Sequence, residues 1–175
     1  MRIVHFKNVA GLAGRLAQAQ KALGHEAFVY ARADSHRFDM GFPYDALMDS
    51  GPQWNLWLLR NMRRLASDFD VLHIHGGVRR GEVAYLALRK LTKMSIFIQC
   101  NGSEALNGVG LHWRSIAHGM FHTDPDIRGI VGGTWMPQPI DVSEQPPEMF
   151  HHEKPMFLHT PSSFAMKGTQ SIIEM

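Results

Sequence analysis

The protein has 175 residues, with 18 lysines and arginines against 16 aspartates and glutamates, so its formal charge is +2 when the histidines are neutral. Hydrophobic residues make up 45% of the chain and charged residues 19%, which excludes a disordered protein. A net charge this small gives no reason to expect nucleic-acid binding. The single cysteine, Cys100, cannot form an internal disulfide, and the N-terminus has no apolar signal segment. We therefore expect a cytoplasmic protein.

The first thirty residues have the pattern of a βαβ unit. An apolar strand is predicted at 2–6, a glycine-containing turn at 8–14, and a helix from there to about Leu23. Gly24 ends this helix because glycine accepts the left-handed backbone conformation, and a second apolar strand is predicted at 26–31. A strand, a helix and a strand within about 30 residues indicate a parallel sheet.

The middle of the chain continues the alternation. Residues 32–51 are predicted to be irregular, and the elements that follow are helix 52–68, strand 70–75, helix 82–91, strand 95–100, a short helix near 113–118 and a short strand at 129–136. The expected fold class is α/β, a Rossmann-like parallel sheet with helices on both faces.

The end of the chain indicates a second domain. Residues 142–155 are rich in proline, glutamate and histidine and are predicted to be a linker, and 156–175 have the pattern of a strand, a turn and the start of a helix. Because a domain rarely begins such a unit as its last element, we expect a first domain at 1–141 and an incomplete second one. The unpaired edge of an incomplete domain predicts self-association or disorder near the C-terminus.

Small and polar residues follow three of the predicted strands, at 8–14, 75–77 and 101–104. Ligands of parallel sheets bind at the carboxyl ends of the strands, and glycines before a helix N-terminus favour an anion there. We interpret this edge as a phosphate or sugar site, although glycines that only permit tight corners explain the pattern equally well. The turn at 8–14 lacks the G-x-G-x-x-G dinucleotide motif, so an NADP-dependent enzyme that would use Arg32 is a weak alternative.

The eleven histidines raise the question of a metal site. His73 and His75 lie two residues apart on one predicted strand and therefore on the same face. No H-E-x-x-H or Cys/His zinc spacing is present, so we expect no metal site and no cofactor. His75, at the end of its strand, is predicted either to contact a ligand or to be hydrogen-bonded within a turn.

The Trp54–Arg64 segment has two tryptophans and Leu58 on one side of a predicted helix and three arginines on the other. Such a helix could rest on an anionic membrane surface. A stripe that faces the core explains the same pattern and is favoured, because a helix beside a sheet must bury one face.

Motifs along nearly the whole chain, kept in order, resemble those of retaining GT-B glycosyltransferases (glycosyltransferase group 1, family 4). Residues 70–77 (DVLHIHGG) resemble the family's D-V-(V/I)-H-x-H-G strand, and 98–104 (IQCNGSE) its segment ending in H-G-S-(D/E). Residues 135–141 (WMPQPID) resemble the h-P-N-P-(I/V)-D motif that closes the first domain. The first thirty residues look like the start of that domain, and 157–169 resemble the L-H-x-P-S…K-G-T that opens the second.

The resemblance implies transfer of a sugar from a nucleotide-sugar donor to a sugar or lipid-linked acceptor, with retention and without a metal. The residues against the donor diphosphate would be Gly11, Gly14 and Lys167. The acceptor and sugar cleft would be lined by His75, Gly76, Asn101, Gly102, Ser103 and Glu104. Asn101 stands where the family usually has histidine, and no arginine precedes Lys167 as it does in the family. No catalytic residue is assigned.

Two departures from the family leave other functions open. A nucleotide-sugar epimerase of GT-B architecture would need acid and base groups in the cleft, where only Glu104 and His75 are placed. A non-catalytic module that binds a sugar or a nucleotide is favoured by Asn101 and by the missing arginine. Because most donor contacts would lie in the second domain, we expect these 175 residues alone to transfer no sugar.

Overall fold

The structure, a computed structural model, describes residues 1–32, 43–48, 52–76, 83–101 and 116–137. It divides the chain into two units, Met1–Asp141 and Val142–Met175, and every described residue lies in the first. The predicted linker and the elements predicted at 156–175 lie outside the described residues.

The described elements alternate between strands and helices. The strands are β1 (Arg2–Phe6), β2 (Glu26–Arg32), β3 (Ala46–Met48), β4 (Val71–His75), β5 (Ser95–Cys100), β6 (Gly119–His122) and β7 (Thr134–Trp135). The helices are α1 (Leu12–Ala22), α2 (Pro52–Asp68), α3 (Ala84–Leu91) and α4 (Arg128–Val131), with short 3-10 turns at Val9–Gly11 and Pro125–Ile127.

These seven strands form one parallel sheet in the order β3-β2-β1-β4-β5-β6-β7. The chain builds outward from β1 through β2 and β3, then returns to place β4 on the other side of β1. The strand order therefore reverses between β1 and β4, and in open α/β sheets such a switch point is where ligands bind, beyond the carboxyl ends of the strands. The predicted fold class is confirmed.

Helices α2 and α3 cover one face of the sheet. The apolar side chains that the central strands present to them include Val4, Phe6, Leu72, Ile74, Ile96 and Ile98. Leu58 of α2 and Leu88 of α3 are fully buried against this cluster. The two helices are joined by a buried hydrogen bond of 3.0 Å that the indole N–H of Trp54 donates to the Tyr85 hydroxyl.

Helix α1 covers the opposite face. Its small side chains Ala13 and Ala17 are buried against Ala27 and Val29 of β2. Residues of one strand point alternately to the two faces, so β1 and β4 present their odd-numbered residues to the side of α1. That alternation puts His5, His73 and His75 on this second face.

The prediction of an irregular segment at 32–51 is wrong in part, because Ala46–Met48 forms strand β3. This strand has three residues and pairs with β2 along one edge only, so its sequence carries little strand pattern. Strand β6 was not predicted either. Residues 116–118 are not helical, and 102–115, which hold the rest of the helix predicted near 113–118, lie outside the described residues.

The strand predicted at 129–136 is wrong over most of its length. Residues 128–131 form the short helix α4, and only Thr134–Trp135 pairs with β6. Gly132 and Gly133 separate the two elements with φ values of 69° and 87°, which are left-handed conformations that end the helix.

The apolar stripe of α2 faces the core. Trp54, Leu58 and Leu65 are buried, and the three arginines of the Trp54–Arg64 segment are exposed together with Leu56 and Leu59. Among the described residues, no helix has both the length and the apolar character needed to cross a bilayer. Contact of this helix with a membrane surface stays a prediction, as does self-association.

Candidate functional site

Left-handed backbone conformations mark the carboxyl edge of the sheet at the switch point. Lys7 follows β1 with φ 68°, Gly11 precedes α1 with φ 74°, and Gly76 follows β4 with φ 80°. Glycine adopts such angles without strain, whereas lysine adopts them at a cost of order 1–3 kcal/mol. Lys7 is also only 4% exposed, so this edge holds a buried lysine side chain. The sequence pattern did not single out Lys7.

The two glycines predicted to contact the donor diphosphate differ in their surroundings. Gly11 is the N-cap of α1 and the first turn holds no acidic residue, but the Leu12 N–H is already bonded to the Val9 carbonyl and the Gly14 N–H to a side chain. Gly14 donates its backbone N–H to Asn8 Oδ1 at 3.0 Å, and a Cβ added to it would lie 2.6 Å from the Pro43 carbonyl oxygen. The absence of a side chain at Gly14 therefore serves packing against Pro43, and contact of either glycine with a diphosphate stays a prediction.

His5, His73 and His75, here called the histidine cluster, lie side by side on the α1 face of β1 and β4. The register pairs His5 with His73, and the three ring centroids are 4.2–5.3 Å apart. His5 Nε2 lies 2.8 Å from Gln20 Oε1, and because that oxygen only accepts, Nε2 carries the proton of His5. His5 Nδ1 then accepts a 2.9 Å hydrogen bond from the Nε2–H of His75.

The histidine cluster is buried and uncharged. Burial lowers the pKa of His5 to about 4 and that of His73 to about 3, and it holds the pKa of His75 well below its usual value. The neighbouring rings lower the pKa of His75 further, whereas the side chain of Gln99 acts in the opposite direction. Among the described residues, His73 Nε2 and His75 Nδ1 have no hydrogen-bond partner. Two ring nitrogens of the cluster are therefore without a protein partner in the described part of the chain.

The residues predicted for the acceptor and sugar cleft come together where described. His75 pairs with Gln99, and the N–H of Gly76 donates to the Gln99 carbonyl at 2.8 Å. Asn101 follows β5 directly, and its Oδ1 is buried without a hydrogen-bond partner among the described residues. Gly102, Ser103, Glu104 and Lys167 lie outside the described residues.

Sequence patterns did not single out several polar residues of this region. His5 can be assigned to this region only when β1 is known to pair with β4, because the register then places it opposite His73. Gln99 is fully buried, yet it lies within an apolar strand pattern. His122 of β6 donates from Nδ1 to the Asp124 carbonyl at 2.9 Å, and its Nε2 is buried with no partner in the described part of the chain.

The histidine cluster makes stability depend on pH. Below pH 6.5 the histidines of the unfolded chain bind protons, whereas His5 and His73 stay neutral in the folded chain. The free energy of unfolding is therefore highest above pH 6.5 and falls as the pH is lowered towards 4. We expect a loss of about 3 kcal/mol from His5 alone by pH 4, since one pKa unit corresponds to 1.4 kcal/mol. Urea unfolding in metal-free buffer at pH 7.5, 5.5 and 4 measures it. A free energy of unfolding that stays level from pH 7.5 to 5 would contradict the neutral cluster.

Gly14→Ala tests the close contact with Pro43. Alanine normally stabilises a helix relative to glycine by about 1 kcal/mol, but here its Cβ meets the Pro43 carbonyl oxygen, so we expect a net destabilisation of about 1–3 kcal/mol. Gly129→Ala in α4 is the matched control, because a Cβ there meets nothing within 4 Å. Thermal unfolding of both variants measures the difference. Equal melting temperatures would show that residue 14 does not need to be glycine for packing.

Comparison with known proteins adds a family to this geometry. The model of Glycosyltransferase Family 4 matches residues 9–127, more than half of the chain. No curated protein matches the sequence. Among solved structures, a protein of unknown function from Vibrio parahaemolyticus RIMD 2210633 is similar at 10% identity and a TM-score of 0.49, over 71% of this chain and 94% of its own. On the family match, the chain belongs to glycosyltransferase family 4.

Proposed function

We propose that this chain is the acceptor-side domain of a glycosyltransferase that moves a sugar from a nucleotide-sugar to an acceptor hydroxyl with retention of configuration. The family match and the parallel sheet with its switch point support this proposal. The observation that carries it is the buried carboxamide oxygen of Asn101 at the carboxyl end of β5, which has no partner among the described residues.

A buried hydrogen-bond acceptor without a donor destabilises the folded state. Leaving such a group unpaired costs about 1–3 kcal/mol, so a site that keeps one gains that amount when a ligand donates a hydrogen bond to it. A sugar or acceptor hydroxyl is a donor of the right size for a carboxamide oxygen, and the amide N–H groups of Asn101 can donate to a second hydroxyl. Asn101 also opens the segment that resembles the family's sugar cleft.

The donor diphosphate would bind at the neighbouring corner of the same edge. The N-terminus of α1, which has no acidic residue in its first turn, directs the positive end of the helix dipole towards it. Lys7, buried at the end of β1, adds a positive charge, and Gly11 lets an anion approach the backbone closely. Lys167 is the further cation that the family resemblance implies.

The proposed catalysis rests on positioning and on charge stabilisation. The leaving diphosphate gains negative charge as the glycosidic bond breaks, and cations and helix amides held near it lower the energy of that transition state. His75 is fully buried and bonded to His5, so its part is to hold the end of β4 in place beneath the cleft. No metal ion is required for this step.

Asn101→Ala tests the proposal. Because these 175 residues alone are expected to transfer no sugar, the readout is binding, measured by isothermal titration calorimetry with sugar and polyprenyl acceptors and with UDP-glucose, UDP-N-acetylglucosamine and GDP-mannose. We expect Asn101→Ala to weaken binding about tenfold or more, since loss of one buried hydrogen bond costs about 1–3 kcal/mol. Asn101→His, which introduces the residue usual in the family, should keep binding.

Asn61→Ala is the matched control, because the Asn61 side chain donates to the Trp57 carbonyl on α2 and lies away from the strand ends. An equal loss in Asn61→Ala and Asn101→Ala would contradict a role for Asn101 in the cleft. Failure of the wild-type chain to bind any of these sugars or nucleotide-sugars would contradict the proposed function.

A further inference from the structure

We propose that the histidine cluster is a binding site for a divalent late transition metal, with Zn²⁺ as the ion that fits it best, held by one ring nitrogen each of His5, His73 and His75. Ring nitrogens of the three residues lie within 4.8 Å of one another. The site is separate from the proposed transfer reaction, which needs no metal, so either proposal can fail without the other.

The spacing of the nitrogens is close to what a metal requires. Tetrahedral Zn²⁺ with bonds of about 2.0–2.1 Å places its ligand nitrogens about 3.3 Å apart. His5 Nδ1 and His75 Nε2 are now 2.9 Å apart across a hydrogen bond, and the widest separation in the cluster is 4.8 Å. To bind the ion, the most distant pair of nitrogens would have to approach by about 1.5 Å through rotation of the rings.

The proton on His75 Nε2 can move to Nδ1 of the same ring when the metal binds. Zn²⁺ on His75 Nε2 takes the electron pair that the N–H bond leaves behind, and the ring keeps one proton by carrying it on Nδ1 instead. That nitrogen is buried without a partner among the described residues, and the side chain of Gln99 lies beside it. The three rings therefore stay neutral, and no net proton release is required.

One glutamine supports the His5 ring from outside, and a second lies beside His75. Gln20 Oε1 accepts from His5 Nε2 at 2.8 Å and so leaves the electron pair of Nδ1 facing the centre of the cluster. Gln99 is placed to do the same for His75. Histidines that ligate metals usually donate their outer N–H to such an acceptor, which fixes the tautomer and the ring orientation.

The donor set also selects the kind of metal. The ligands are neutral imidazoles, which suit Zn²⁺, Cu²⁺ and Ni²⁺, whereas Mg²⁺ and Ca²⁺ take oxygen ligands. All three side chains project from two hydrogen-bonded strands, so the sheet fixes their positions before a metal arrives. A tetrahedral ion held by three imidazoles takes its fourth ligand from water, as zinc sites with three protein ligands do.

The experiment compares the full chain stripped of metal with EDTA and the same chain refolded with Zn²⁺. Refolding is used because the buried rings would slow the entry of Zn²⁺ into the folded chain. We expect one zinc per chain by mass spectrometry and a rise in Tm of roughly 5–10 °C when free Zn²⁺ exceeds its Kd a hundredfold. X-ray absorption at the zinc edge should show three imidazole nitrogens at about 2.0–2.1 Å. Fewer than three imidazoles, or an unchanged Tm, would overturn the proposal.

Variants identify the ligands among eleven histidines. His73→Gln should weaken zinc binding at least about 100-fold, more than loss of an outer-shell group does, whereas the control His25→Gln should bind as the wild type does. His25 lies before β2, outside the cluster. Equal zinc affinity in folded His73→Gln and the wild type would overturn the assignment. If His73→Gln does not fold, the imidazole count from X-ray absorption on the wild type decides the question.

Discussion

The pairing of β1 with β4 is the constraint on which the rest of the structure depends. It reverses the strand order, sets the His5 ring opposite His73, and brings the carboxyl ends of two strands to one point at the sheet edge. Three imidazoles buried in a sheet are costly unless they bond to one another. The His5 to His75 hydrogen bond and the Gln20 contact offset part of that cost, and so favour this register over a slipped one.

The same register connects the buried histidine cluster to the carboxyl edge of the sheet, where the site is proposed. His75 is the last residue of β4 and is bonded inward to His5, while Gly76 turns the chain away with a left-handed backbone and bonds to Gln99. Asn101 lies two residues after Gln99, at the end of the neighbouring strand β5. In the proposed transfer, the polar groups buried beneath this edge would hold Gly76 and Asn101 in place.

Much of the fold follows from local sequence, and much of the site does not. Apolar runs and helical spacing predict β1, α1 and β2, whereas β3 is too short and too exposed on one side to leave a pattern. Motif order predicts His75 and Asn101 as site residues, and their role in a site stays a prediction. His5 could not be found that way, because its partner lies 70 residues away and only the strand order, a property of the whole sheet, brings the two together.

The most direct test of this account is nitrogen-15 NMR of the histidine rings. The account predicts a scalar coupling between His5 Nδ1 and His75 Nε2 across their hydrogen bond, and rings of His5 and His73 that stay neutral at pH 5.5 because burial lowers the pKa to about 4 and about 3. If the coupling is absent and all eleven histidines become protonated near pH 6.5, β1 does not pair with β4 as described.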